Sequence, residues 1–358
     1  MERKNREANM SKVLTVVIPS YNVEAYLADT LESFISEEIM EDVEVLIVND
    51  GSKDSTPEIA EQFEQRYPQT FRLINKENGG HGSTINRGME EAKGAYFKVV
   101  DGDDWVDTED FTEMVKRLRN ETADYVVTKY YKVNDKTKEK TVEAFPYFEE
   151  HPSCTFDECA GQSEIPMHAL VIRTAILQDH HIRLDEHCFY VDNEYITFPV
   201  PYVEKVQYYD LTVYMYRLAV ATQSVSMQGF QKHLPDHVKV TLRLVDFAEA
   251  YRKKVKEKAL QNTEDGEYLS EARAAYLENQ AAIMVGDQAG IYASFPSGNA
   301  EIKKQFLEFD RTVRKKSTVI YDLSSGKSKM LRALRVNQFK KYRFWTNLSK
   351  VRARMRRP

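Results

Sequence analysis

Asp101, Gly102, Asp103 and Asp104 follow the apolar run Ala95 to Val100. Carboxylates one residue apart at the end of a buried strand repel each other unless something positive sits between them. A divalent cation relieves that repulsion, and Mg²⁺ or Mn²⁺ takes oxygen ligands and shares them with phosphates. Gly102 lets the backbone approach a ligand closely. The plainer reading is a solvated acidic turn that caps the next helix through Asp104 or Thr108. A second cluster, Asp50 to Asp54, reads by itself as a turn before a helix. Its functional reading makes Asp50 an acceptor for a base N–H or a ribose hydroxyl. A third cluster, Glu77 to Ser83, is a glycine-rich loop running into a helix. Such loops offer backbone N–H groups and a positive dipole end to anions. It lacks the G-K-[ST] ending of an ATP-binding loop, and no G-x-G-x-x-G follows the first strand, so ATPase and nicotinamide readings lose support. His81 reads as a ligand contact in preference to a plain loop histidine.

The elements that must position these clusters alternate in period. Val13–Ile18, Val43–Val48, Phe71–Ile74 and Ala95–Val100 are short apolar runs that read as strands buried on both faces. Between them lie helical patterns: Glu24–Phe34, a helix opening at Thr56 as N-cap with Pro57 at N1, and Thr84–Ala92. Alternating strands and helices predict an α/β fold with a parallel sheet. Ligands bind outside the carboxyl ends of such strands. Pro19–Asn22, Asn49–Ser52 and Asp101–Asp104 all stand at those ends. From Asp124 the pattern loosens. Tyr125–Tyr131 and Lys140–Phe148 read as antiparallel strands, Arg173–Gln178 and Asp192–Pro199 as short helices, and Val206–Tyr209 and Leu211–Tyr216 as two late strands. Helices over His237–Lys258 and Glu267–Tyr292 follow, paired around a break at Asp265 and Gly266.

Taken together, V-x-I-P-S-Y-N-x-E-x-Y-L, V-N-D-G-S-x-D-S-T, N-x-G-(x)5-N-x-G and V-D-G-D-D-W, from Val16 to Trp105, resemble a family 2 glycosyltransferase in order and spacing. The resemblance implies a GT-A fold, Rossmann-like with a mixed sheet, a nucleotide-sugar donor with UDP favoured, a Mn²⁺ or Mg²⁺ cofactor, and inversion at the anomeric carbon. It implies that Pro19 and Tyr21 line the uracil or ribose pocket, that Asp50 accepts from the base, and that Asn78 and Gly102 lie beside the nucleotide. Asp101 would contact the ribose or the metal, and Asp103 would ligate the metal, with Asp104 a further candidate. An inverting transfer needs a general base for the acceptor hydroxyl. Asp192 matches the aspartate of the family's E-D-like motif, with Val191 where Glu is common; Glu194 is the alternative base. Relatives often carry A-R-N in the glycine-loop helix, whereas this chain has Thr84, Ile85 and Asn86. Phosphate neutralisation would then rest on the metal, backbone N–H groups, His81 or Arg217. With no Q-x-x-R-W and no membrane span, single-sugar transfer is favoured over processive synthesis.

Composition sets the frame for this reading. The 358 residues are 42% hydrophobic and 30% charged, which excludes a disordered chain. Three cysteines, with Cys154 and Cys159 spaced C-x4-C and no second pair, fit plain thiols in a reducing compartment. The N-terminus is charged and lacks a secretory h-region, so a cytoplasmic location is expected. The reading divides the chain into a GT-A domain over 1–228 (donor half about 11–123, acceptor half about 124–228), a helical region over 229–326 and a basic amphipathic tail over 327–358. That tail holds twelve Lys/Arg and no Asp/Glu. Tyr342, Trp345, Leu348, Val351 and Met355 recur in it at helical spacing. This suits an interfacial helix on anionic lipid at the inner membrane face, ahead of a helix packed on the acidic body; nucleic acid is disfavoured. The acceptor, glycan or lipid-linked, would be gripped by the second half, around Met167, His168, Arg173 and Arg217. The C-terminal helices could equally pair two copies of the chain. A nucleotidyltransferase would carry a basic glycine-rich first loop, which Pro19–Asn22 is not, and a non-catalytic subunit need not keep Asp50, Asp101, Asp103 and Asp192 together.

Overall fold

Val13 to Ile18 lies within β1 (Lys12–Ser20), buried from Leu14 onward. Its parallel neighbours are β2 (Val43–Asn49), buried at every residue, and, across β2, β3 (Phe71–Asn75). On its other side β1 pairs in parallel with β4 (Gly94–Val99). The register sets Ser20 beside Asn49 and Val17 beside Val99, so three of the polar clusters emerge at one edge of the sheet. The computed structural model describes residues 12–218, 227–258 and 267–355. The chain divides into two compact units, 1–221 and 222–358.

Past β4 the sheet becomes mixed. β5 (Trp105–Val106), β6 (Tyr125–Asn134), β7 (Lys140–Glu143), β8 (Ser153–Thr155), β9 (Leu170–Arg173) and β10 (Lys205–Leu218) complete ten strands in the order β3-β2-β1-β4-β9-β6-β10-β5, with β7 on β6 and β8 on β10. β9 runs antiparallel to both β4 and β6, which joins the parallel half to the second half. The two late strands expected from sequence are one strand, β10, irregular between Tyr209 and Tyr214. There Thr212 N–H donates to Asp110 Oδ2 at 2.6 Å instead of continuing the ladder.

Helices Thr56–Arg66, His81–Glu91 and Thr108–Leu118 follow β2, β3 and β5. Two capping expectations are corrected. Thr56 lies inside its helix, and its hydroxyl accepts from Val23 N–H at 2.9 Å, tying the first cluster to the second. The helix after the Asp101–Asp104 cluster is capped by Asp107, which accepts from Asp110 N–H at 3.1 Å, so neither Asp104 nor Thr108 is spent on capping. The first helix is also shorter than its apolar spacing suggests, covering only Leu27–Glu32.

The second unit is helical. Leu234–Lys258 packs along Glu271–Ser294, where the Arg252 guanidinium meets the buried Glu278 carboxylate through two hydrogen bonds of 2.8 Å. The break expected at Asp265 and Gly266 lies outside the described residues. Helices Ala300–Lys316, Thr318–Lys327, Lys329–Val336 and Tyr342–Met355 complete the unit. The segment read from sequence as a separate amphipathic tail is built into this core. Leu331 and Leu334 are fully buried, and the Phe339 and Tyr342 rings lie 5.2 and 6.4 Å from that of Phe306. No helix among the described residues is long and apolar enough to cross a membrane.

Candidate active site

Asp50, at the end of β2, is 2% exposed. Its Oδ1 accepts from Gly79 N–H at 2.9 Å and from Lys76 Nζ at 2.8 Å, and its Oδ2 accepts from Gly80 N–H at 2.8 Å. The Asn78 amide donates back to the Asp50 carbonyl at 2.9 Å. The glycine-loop N–H groups expected to face an anion are therefore occupied by a carboxylate of the protein itself. Asp50 and Asn78 act first as organisers of the loop.

The glycines of that loop have a packing reason. A Cβ on Gly82 would lie 2.1 Å from the Asp185 carbonyl oxygen, and one on Gly80, where φ is +82°, would lie 3.3 Å from the His187 backbone. The segment Leu184–Cys188 thus rests directly on the loop. His187 N–H donates to the Gly79 carbonyl, and the Asn86 side-chain amide both donates to Leu184 O (3.0 Å) and accepts from Leu184 N–H (2.9 Å). This seam carries the helix Asp192–Thr197 to the end of β4. Tyr190, with φ of +68°, turns the chain just before it. Glu194, fully buried, accepts from Asp185 N–H at 2.8 Å. That carboxylate holds the seam and leaves Asp192, half-buried, as the acid facing the site.

His81 opens its helix, and its Nε2 lies 2.9 Å from Asp101 Oδ1, both side chains about 30% exposed. Burial disfavours the charged imidazole, but the bond to Asp101 and the charges of Asp101, Asp192 and Asp103 outweigh it, so the His81 pKa is raised. Burial alone would raise Asp101, but the His81 contact holds it below the usual carboxylate value. Burial and the Asp101 charge push Asp103 up to about 6. Burial, with Asp101 adding to it against His81, raises Asp192. These mutual influences show that His81, Asp101, Asp103 and Asp192 lie near one another.

Asp104 behaves differently. It is 1% exposed, and its oxygens accept from the Tyr214 hydroxyl at 2.6 Å and from Arg217 N–H at 2.7 Å. Burial and the charges of Asp103 and Asp101 push its pKa far up despite those bonds. Arg217 is itself enclosed. Its guanidinium lies 4.8 Å from the Tyr26 ring and 4.5 Å from the Trp105 ring, donates from Nε to the Asp103 carbonyl at 2.6 Å, and pairs with Asp135 at 2.8 Å. Arg217 thus fixes the backbone of the aspartate cluster. Pro19 is buried at the end of β1, Tyr21 is 51% exposed at the rim, and Gly102 sits where a Cβ would come 2.9 Å from the Pro19 carbonyl.

Hard oxygen donors in this cluster fit a divalent cation. Ligand atoms of Asp101, Asp104 and His168 lie within 4.8 Å of one another, and His168 Nδ1 is buried with no hydrogen-bond partner. The Asp103 carboxylate is half-exposed and makes no hydrogen bond or ion pair to another side chain among the described residues, whereas both Asp104 oxygens are engaged. Asp103 is therefore a further candidate ligand beside Asp101.

Sequence reading missed Lys98. It sits inside β4 with no exposure, donates to the His168 carbonyl at 2.8 Å and the Leu170 carbonyl at 3.3 Å, and lies 5.5 Å from the Tyr214 ring. Burial lowers its pKa to about 7. A lysine inside the otherwise apolar run Ala95–Val100 was the signal available. His168, noted only as an acceptor-side residue, lies among the Tyr130, Tyr214 and Tyr216 rings, at 5.3, 4.9 and 4.2 Å.

The model of glycosyl transferase family 2 matches residues 15–176. A relative, the putative glycosyltransferase EpsH of Bacillus subtilis, is 26% identical over 62% of this chain and 64% of its own length. The teichoic acid poly(glycerol phosphate) polymerase of Staphylococcus epidermidis is 28% identical over 54% of this chain and 26% of its own length. The chain thus spans less than two thirds of these relatives. Among solved structures, residues 1–349 of S. aureus TarS in complex with UDP-GlcNAc superpose with a TM-score of 0.60 at 17% identity, over 94% of this chain and 90% of that one. At that identity the likeness is one of fold, and the fold is the expected GT-A architecture with its mixed sheet and helical C-terminal region. Over residues 15–176 the chain is thus similar to glycosyl transferase family 2.

Proposed function

We propose that this chain moves one sugar, with inversion, from a UDP-sugar to a hydroxyl of a glycan or lipid-linked acceptor in surface polysaccharide synthesis, at the inner face of the membrane. What supports this is the 2.9 Å contact of His81 with Asp101 and the mutual electrostatic influence of His81, Asp101, Asp103 and Asp192 near the strand ends. The donor nucleotide lies against Pro19 and Tyr21, with Gly102 allowing close approach. Asp101 and Asp103 would hold Mn²⁺ or Mg²⁺, which would supply positive charge against the charge that grows on the leaving diphosphate. His81, whose pKa is raised by its carboxylate neighbours against burial, stands at a helix N-terminus on the same side. Asp192 takes the proton of the acceptor hydroxyl. Its raised pKa brings it nearer neutrality, where a general base is most effective.

The UDP preference is supported by the fold shared with TarS, whose structure holds UDP-GlcNAc. The polysaccharide setting is supported by the relatives named above.

The test is Asp192→Asn, assayed for transfer and, separately, for UDP-sugar binding by calorimetry with Mn²⁺ present. Transfer should fall by about 10²–10⁴ while binding is kept. Unchanged turnover would remove Asp192 from the mechanism. Failure of the wild type to bind any nucleotide sugar would overturn the donor site and favour a non-catalytic subunit.

A further inference from the structure

We propose that the C-terminal unit carries a docking surface for an anionic lipid bilayer: Lys303, Lys340, Lys341 and Arg343 receive headgroup phosphates in a recess whose rim residue, Phe344, enters the interface. The recess, about 420 Å³, lies between the start of the helix Ala300–Lys316 and the segment Lys340–Phe344. That volume falls in the range of small-ligand sites, roughly 300–1,000 Å³.

None of the four cations has a carboxylate partner among the described residues. Other basic groups of the same unit are paired: Arg335 with Asp310, Lys316 with Asp246, and Arg252 with Glu278. Lys303 Nζ lies 5.8 Å from the Tyr342 ring, which forms the wall. The first N–H groups of the helix are already capped by Asn299, so the attraction comes from the side chains. The one carboxylate at that helix start, Glu301, accepts from Gln305.

Charge complementarity names the partner. Residues 327–358 hold twelve Lys/Arg and no Asp/Glu, in a chain whose net charge is −6. Anionic headgroups supply many phosphates in a plane, and each basic residue near such a surface contributes about 1 kcal/mol. Phe344 decides between phosphate sources. It is 58% exposed among these cations, a position that a free phosphate in solution leaves exposed and a bilayer interface buries.

The experiment is vesicle flotation of the full chain. The vesicles are phosphatidylcholine alone or phosphatidylcholine with phosphatidylglycerol, at low and high salt. Parallel arms add inorganic phosphate in a thermal-shift assay and a single-stranded oligonucleotide in a binding assay. The chain should float with the anionic vesicles only, and less so at high salt. The triple variant Lys340→Ala/Lys341→Ala/Arg343→Ala should lose about a hundredfold in affinity. Phe344→Ala should lose several-fold and keep the salt dependence. All four positions are solvent-facing, and a matching far-UV spectrum with unchanged UDP-sugar binding verifies the fold. Equal recovery on neutral vesicles, a triple variant that binds like the wild type, or stabilisation by inorganic phosphate without flotation would overturn the proposal. So would tight capture of the oligonucleotide with no vesicle binding. Because the readout does not involve sugar transfer, its failure leaves the catalytic reading standing.

Discussion

Replacing Asp50 by Asn separates two roles for one carboxylate. Its two oxygens face two different backbone donors, Gly79 N–H at 2.9 Å and Gly80 N–H at 2.8 Å. Whichever way an Asn amide is turned, its NH₂ meets an N–H. One buried donor is then left unsatisfied and pushed away, at about 1–3 kcal/mol. Lys76, 23% exposed, can turn to water, so losing its ion pair adds at most about 1 kcal/mol. The sum is about 1–4 kcal/mol. With a urea dependence of about 2 kcal/mol per molar, the midpoint should fall by about 0.5–2 M. The chain has two tryptophans, Trp105 in the first unit and Trp345 in the second. In a Trp345→Phe background, Trp105 fluorescence follows the first unit alone, which avoids mixing two transitions. If Asp50 served chiefly to accept from the base, Asp50→Asn would change the preference between nucleotides and barely move the midpoint. A shift under about 0.3 M with weakened UDP-sugar binding would refute the loop-organising role.

The same physics gives three more expectations. Gly82→Ala places a Cβ 2.1 Å from the Asp185 carbonyl oxygen, so it should force the seam apart; thermal melting and UDP-sugar binding should both drop, and a soluble variant with wild-type binding would contradict the seam. Asp103→Asn should weaken Mn²⁺ binding, read by electron paramagnetic resonance of free Mn²⁺, at little cost in stability. Asp104→Asn should instead lower the melting temperature, because both of its oxygens are engaged. Burial lowers the Lys98 pKa to about 7 in the folded chain, below the ordinary lysine value of 10.5, so between those limits the unfolded chain binds more protons and stability rises with pH. The slope from this one group is at most about 1.4 kcal/mol per pH unit, and Lys98→Met should flatten it; an unchanged slope would show that Lys98 stays charged.

The parallel half of the sheet was legible because its strands are buried on both faces and read as continuous apolar runs. The carboxyl ends of β1, β2 and β4 then placed three clusters at one edge without further information. What could not be read was how the second half returns to them. The contacts that bring Asp192 into the cluster run through Asn86, Gly79 and Gly82, and they concern backbone groups of Leu184, Asp185 and His187. Backbone partners leave no residue-type signature. For the same reason the glycine loop invited an anion-binding reading, although its first N–H groups were already satisfied by Asp50. Apolar residues at helical spacing mark a buried face without saying whether lipid or protein buries it; Tyr342 is buried against Phe306, whereas Phe344 stays exposed.

This packing also explains the departure at Ile85. In this chain position 85 has no exposure, and the next residue, Asn86, is committed to the seam. An arginine at 85 would have to enter a core, and a buried charge left unpaired there costs several kcal/mol. His81, one turn toward the N-terminus, has its pKa raised by Asp101, Asp192 and Asp103 against burial and stands where the helix dipole is positive. The carboxylates proposed to bind the metal and receive the acceptor proton thus also raise the pKa of the histidine, so that on this proposal donor neutralisation and proton removal share one electrostatic cluster.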